Sequence, residues 1–115
     1  MNLQIRSYVD RHGTSPFDQW FDQLDRAAAA AVGVVLYRME AGNLRDTKSV
    51  GGGVLERRIH HGPGYRVHFA RDGERLIVLL GGGGKRRQEE DIAAAKEAWL
   101  DYRSRRAGNR RSQEG

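Results

Sequence analysis

Residues 54 to 85, VLERRIHHGPGYRVHFARDGERLIVLLGGGGK, constrain this chain more than any other stretch, because three short strand-like runs are joined there by two tight turns. Gly62-Pro63-Gly64 is turn chemistry: proline presets one backbone dihedral and glycine accepts the positive ones a reversal needs. Asp72-Gly73 marks the second hairpin. Between the turns Tyr65, Val67 and Phe69 alternate with Arg66 and His68, the period of two expected of a strand with one buried face. Before the first turn, Leu55 and Ile59 mark one face, while Glu56, Arg58 and His60 take the other. Pairing the apolar faces gathers Arg58, His60, Arg66 and His68 on the opposite side of one antiparallel sheet.

A chain of 115 residues suits one compact domain, expected to span residues 1–102 and to be followed by a basic tail over 103–115. Cysteine is absent, so neither a disulfide framework nor a thiolate metal site is available. No apolar run approaches the roughly 20 residues that span a bilayer, and the N-terminus lacks the apolar core of a signal peptide; we expect a soluble cytoplasmic protein with no membrane partner. The net charge is +5. Five arginines against one glutamate from Arg103 onward account for much of it, yet residues 56–87 also hold eight basic residues against Glu56, Asp72 and Glu74. The central hairpins therefore carry a basic field of their own, of the kind that attracts a polyanion by counterion release.

In chain order, Leu3 and Ile5 alternate with polar neighbours and predict a strand over about 2–8. Ser15-Pro16-Phe17-Asp18 offers an N-cap serine, a proline at the first helical position and an acid three residues after the cap. Phe17, Trp20, Phe21 and Leu24 follow at the spacing of one apolar stripe. A second helix is predicted over 26–41, with Val32, Val35, Leu36 and Met39 facing inward and Gly42 ending it. The two should form an antiparallel hairpin against the sheet. GNLRDTKSVGGG, residues 42–53, shows no periodicity and is expected to be a mobile loop. Ile92, Ala95, Trp99 and Tyr102 predict a third helix over 88–102, its first turn acidic through Glu89, Glu90 and Asp91. RSRRAGNRRSQEG beyond it has no apolar residue larger than alanine and reads as disordered. Gly81 to Gly84 before Lys85 resemble a phosphate loop, but Leu79 and Arg86 stand where that motif requires glycine and Ser or Thr. A weaker expectation survives, that glycine amides at a helix start hold one phosphate beside Lys85.

GVLERRIHHGPGYRVHF, then LLGGGGKRRQEEDIAAAKEAWLDY, with SPFDQWFDQL and GNLRDTKSVGGGV upstream, resembles the addiction-module killer proteins of the HigB type in the RelE/ParE toxin superfamily. The match covers about residues 3–102 in one register. It implies an α+β fold: an N-terminal strand, a helical hairpin, a three-stranded antiparallel run and a C-terminal helix. The family's E-L-R-I falls on Glu56 to Ile59, its G-P-G-Y-R-V on Gly62 to Val67, and its G-G-D-K on Gly82 to Lys85. Arg57 departs from the pattern by replacing an apolar residue, and Gly84 by replacing an acidic or amide one.

The resemblance implies a toxin of a type II toxin–antitoxin system, an endoribonuclease that cleaves mRNA on the ribosome with neither metal nor cofactor. Its partner would be a HigA-like helix-turn-helix antitoxin, through which it contacts operator DNA indirectly. Cleavage by the neighbouring 2′-hydroxyl requires that hydroxyl to lose its proton, the added negative charge on phosphorus to be stabilised and the 5′-oxygen to be protonated. Arginine's planar, permanently charged fork suits the second task, which assigns Arg58 and Arg66 to it and Lys85 to a further phosphate clamp. His60 and His68 are the candidates for proton exchange, and Arg57, Arg86 and Arg87 for RNA binding. Tyr65, Trp99 and Tyr102 read as packing residues. Two alternatives stand beside this: a ParE-like inhibitor of DNA gyrase acting through its helices, and an inactive antitoxin-binding co-repressor.

Overall fold

The structure, a computed structural model, describes the backbone of residues 2–114 and the side chains of residues 2–108. Its elements are β1 (Gln4–Ser7), α1 (Pro16–Asp22), α2 (Arg26–Glu40), β2 (Thr47–Gly51), β3 (Val54–Ile59), β4 (Tyr65–Asp72), β5 (Leu76–Gly84) and α3 (Gln88–Glu114). This is a mixed α+β fold with a five-stranded sheet in the order β1-β5-β4-β3-β2. The β3–β4 and β4–β5 hairpins are antiparallel, and β1 closes the far edge by pairing parallel to β5.

The helix starts follow from local chemistry. Ser15 caps α1 by accepting from the Asp18 amide, with Pro16 at the first position, and Asp25 caps α2 by accepting from Ala28. Each spares a backbone donor that the first helical turn leaves without a partner. Phe17, Val32, Val35 and Met39 from these two helices then meet Ile59, Val67, Phe69, Ile77 and Leu79 on one face of the sheet. On the other face Val54, Ala70, Val78 and Leu80 pack against Ala95, Ala98 and Trp99 of α3. The sheet is thus covered on both sides, and residues two apart along each strand enter different cores from their neighbours. Tyr65 packs at the edge of the first core with its ring 6.2 Å from that of Trp20, as expected of a packing residue.

Two expectations are corrected. The mobile loop expected over 42–53 contains strand β2, which pairs with β3 through Thr47–Arg57, Lys48–Glu56 and Ser49–Leu55. Its outer edge has no strand neighbour among the described residues, so no alternation of burial marked it in the sequence. The tail read as disordered from Arg103 is instead the second half of α3. Polar anchors hold it: Arg105 pairs with Asp101 at 2.9 Å and donates to the Val9 carbonyl, while Arg106 meets Asp72. The side chains of Arg110 and Arg111 in that tail, and Gly115, lie outside the described residues.

The glycine run also does not stand at a helix start, where it was expected. Gly81 to Gly84 lie in β5, opposite Tyr65 to His68 of β4, and α3 begins only at Gln88. The glycines are there because of what crosses them. A β-carbon at Gly82 would fall inside the Trp20 ring, and one at Gly83 inside the Asp91 carboxylate. Glycine lets α1 press on one face of the strand and α3 on the other.

Candidate functional site

Register decides which side chains share a face. Glu56 lies opposite His68, and Arg58 opposite Arg66, so alternation puts all four on the α3 side of the sheet. A bulge in the β4–β5 ladder at His68 and Phe69 leaves Leu80 as the extra residue, and both Leu80 and Gly81 consequently turn toward α3. This shift of phase brings Gly83 rather than Gly82 under the first turn of α3.

The centre of the face is Glu56, fully enclosed at 0 % exposure. His68 Nε2 is 2.9 Å from its Oε2, and the Gln88 amide donates to both carboxylate oxygens at 3.0 and 3.1 Å. Arg66 Nε stands 3.6 Å from Oε1, and Lys48 Nζ, on the exposed side of β2, 3.7 Å from the same oxygen. Three strands and one helix therefore converge on a single carboxylate. Burial acts to raise its pKa, but hydrogen bonds from His68 and Gln88, with the charges of His68 and Lys48, outweigh that and hold it below the usual carboxylate range. An ionised Glu56 accepts only, so His68 must carry its proton on Nε2. Asp91, laid across Gly83, behaves in the opposite sense: burial raises its pKa, against the lowering influence of His68 and Arg87.

Around this centre the predicted residues separate into two groups. Arg66 and His68 are brought together, with Arg58 opposite Arg66 in the ladder and also lining the groove under α2. Arg66 is 9 % exposed and its Nε, like Nδ1 of His68, makes no hydrogen bond. His68 is itself enclosed, so it meets Glu56 and not solvent. Arg58 is exposed, and Lys85 and Arg86 are exposed on the turn that leads from β5 into α3. Arg87 on that turn is engaged with Glu90 at 2.6 Å. His60 goes elsewhere: it follows the end of β3 and its Nε2 lies 3.6 Å from Asp46, beside a groove under α2. Arg57, opposite Val67, faces the α2 side and is buried there, donating to the Asn43 carbonyl at 3.0 Å. It shares neither face nor partner with Arg66.

Glu56 appeared in the sequence only as part of the polar face, and Gln88 and Asp91 only as a helix start. Nothing local signals their convergence, because Gln88 reaches Glu56 across 32 positions of the chain. The available clue was that Glu56 is the acid on a face otherwise made of Arg58, His60, Arg66 and His68. Among the described residues no group of three or more His, Cys, Asp or Glu side chains is placed to hold a metal ion, and no helix is long and apolar enough to cross a membrane.

Comparison with known proteins covers most of the chain. The family model described as phage-derived protein Gp49-like (DUF891) matches residues 19–99, from α1 through most of the apolar half of α3. An uncharacterized protein of Haemophilus influenzae is 38% identical over 80 residues, which is 69% of this chain and 75% of that protein. The chain belongs to the phage-derived Gp49-like family, a group associated with the toxins of toxin–antitoxin systems.

Proposed function

We propose that the protein is a toxin that cleaves translated mRNA on the ribosome at the sheet face around Arg66, and that a HigA-like helix-turn-helix antitoxin neutralises it. The observation that carries this reading is Arg66 itself. Its guanidinium is tethered by the buried Glu56 charge and has an Nε without a hydrogen bond; the exposed Arg58 lies opposite it in the ladder, and the exposed Lys85 and Arg86 follow the end of its partner strand β5. A fixed, permanently charged fork beside mobile cations is suited to a phosphodiester whose charge grows during reaction.

In the proposed reaction the RNA 2′-oxygen attacks the adjacent phosphorus as its proton leaves. The bond from phosphorus to the 5′-oxygen breaks, that oxygen gains a proton, and a 2′,3′-cyclic phosphate remains. Arg66 and Arg58 stabilise the negative charge added at phosphorus, and Lys85 with Arg86 hold flanking phosphates. His68, enclosed against Glu56, is a positioning residue: with Gln88 it fixes the carboxylate that aims Arg66. The ribosome aligns the 2′-oxygen with the scissile bond, a contribution of many orders of magnitude when geometry is held, so a site with modest proton-transfer equipment suffices.

The test is expression in cells without antitoxin, followed by mapping of new mRNA 5′ ends, with Arg66→Gln beside the wild type. The reading predicts growth arrest and cuts inside translated regions that vanish in the variant and when translation is blocked. Arrest without new ends would redirect the assignment to a protein target such as gyrase. Absence of arrest would leave an antitoxin-binding co-repressor.

A further inference from the structure

The second buried guanidinium of the sheet, Arg57, is not accounted for by the reaction. It stands on the α2 side, 3 % exposed, with Nη1 committed to Asn43 and Nε without any hydrogen bond. A buried donor left without a partner costs free energy comparable to a lost hydrogen bond, and more when charged. Arg57 opens onto a groove of about 270 Å³ between α2 and the end of β3, walled also by Val34, Arg38, Asp46, Arg58 and His60. Asp46 is the nearest acid, but its carboxylate lies toward His60 at 3.6 Å and makes no hydrogen bond to Arg57. Its φ of 56° fixes the turn in the left-handed region, which aspartate tolerates. Asp46 favours the charged form of Arg57, but burial and the neighbouring Arg38 outweigh it and lower the pKa.

We infer that this groove binds a carboxylate carried by an apolar-flanked segment of a protein partner, with Arg57 Nε as the buried anchor and Arg38 as the second cation. The flanking surface favours that occupant over nucleic acid. Val34 is 49 % exposed and Tyr37 74 % exposed on the outer side of α2, an apolar lip that a leucine or valine next to the acid would cover. A phosphate chain requires a succession of exposed cations along its path; Lys85 and Arg86 on the turn into α3 are not part of this groove, where Arg38, Arg57 and Arg58 close on one point. Here one buried guanidinium is set into the wall of the groove, with Arg38 and Arg58 exposed at its rim. The charge is complementary to a single carboxylate, and the geometry of an arginine fork selects it. This inference stands apart from the RNA chemistry of Arg66, and either can fail alone.

The test follows the Arg57 Nε–H resonance of the full chain by NMR during titration with the peptide acetyl-Leu-Glu-Leu-amide, its Leu-Gln-Leu analogue, and a short oligouridylate. The Glu peptide should move that resonance saturably, binding about tenfold more tightly than the Gln analogue. Arg38→Gln should weaken the Glu peptide about threefold, and Arg57→Met should abolish the preference for Glu. Equal response to the two peptides, no movement up to about 10 mM peptide, or movement with oligouridylate alone would overturn the inference. Arg38 is exposed, so its variant keeps the test decisive even where Arg57→Met disturbs folding.

Discussion

Glu56 is the residue on which the α3 face depends. Removing its charge leaves Arg66 and His68 facing each other in a dry site, and breaking such a buried group from one side costs about 3–5 kcal/mol. Glu56→Gln should therefore lower stability by about 3 kcal/mol in urea unfolding, with Lys48, already solvated, contributing little. The sign of the pH dependence is fixed by the depressed carboxyl. Its stabilisation is present above the ordinary value of 4.5 and is lost as pH falls through the lower folded-state pKa. The gap between wild type and Glu56→Gln should hold steady near neutrality and close only on acidification below 4.5. A gap that closed on going alkaline would contradict this assignment. The basic face itself was readable from alternation, since Arg58, Arg66 and His68 fall at the positions a period of two assigns. What alternation cannot convey is depth: His68 reads as part of an open polar face and is enclosed, because covering depends on α3 arriving from elsewhere in the chain.

Strand β5 shows the same division between local signal and distant cause. Its run of glycines looks like a loop, yet it is a strand pressed from both sides, by Trp20 at Gly82 and Asp91 at Gly83. Gly83→Ala should destabilise the fold by about 1–3 kcal/mol through forced overlap with Asp91, and the double variant with Asp91→Ala should recover most of that loss. Additive losses in that cycle would show that the close approach is not the cause. The cap of α1 was legible because Ser15 acts on an amide three residues away. β2 was not, being an edge strand without a buried stripe, and neither was the extension of α3, whose anchors are charges rather than apolar residues. Among those anchors Tyr8 donates to Asp101 at 2.6 Å, and its phenol is pushed up to about 12 by burial and that neighbouring carboxylate. Spectrophotometric titration should find one tyrosine ionising near 12, and the stability it lends, present below the ordinary value of 10.0, should be lost as pH rises toward 12.

For the molecule as a whole, the layers divide the labour. α1 and α2 close one face of the sheet and α3 lies across the other, its first residue Gln88 meeting Glu56 while Arg58 stays exposed. The chain measures 50 × 32 × 25 Å, drawn out by a helix of 27 residues. Exposed Arg58, Lys85 and Arg86 add to the charge of Arg66, so affinity for RNA should fall steeply with salt, by a slope of about −0.7 per phosphate neutralised on single strands. The central claim is that Arg66 is the reacting-phosphate ligand, and a reconstituted translation reaction with one defined mRNA tests it most directly. Primer extension on that message should show wild-type cuts within the reading frame, and Arg66→Gln, verified as folded by its melting curve, should cut about 100- to 1,000-fold more slowly. Cleavage by the folded variant at the wild-type rate would contradict the account.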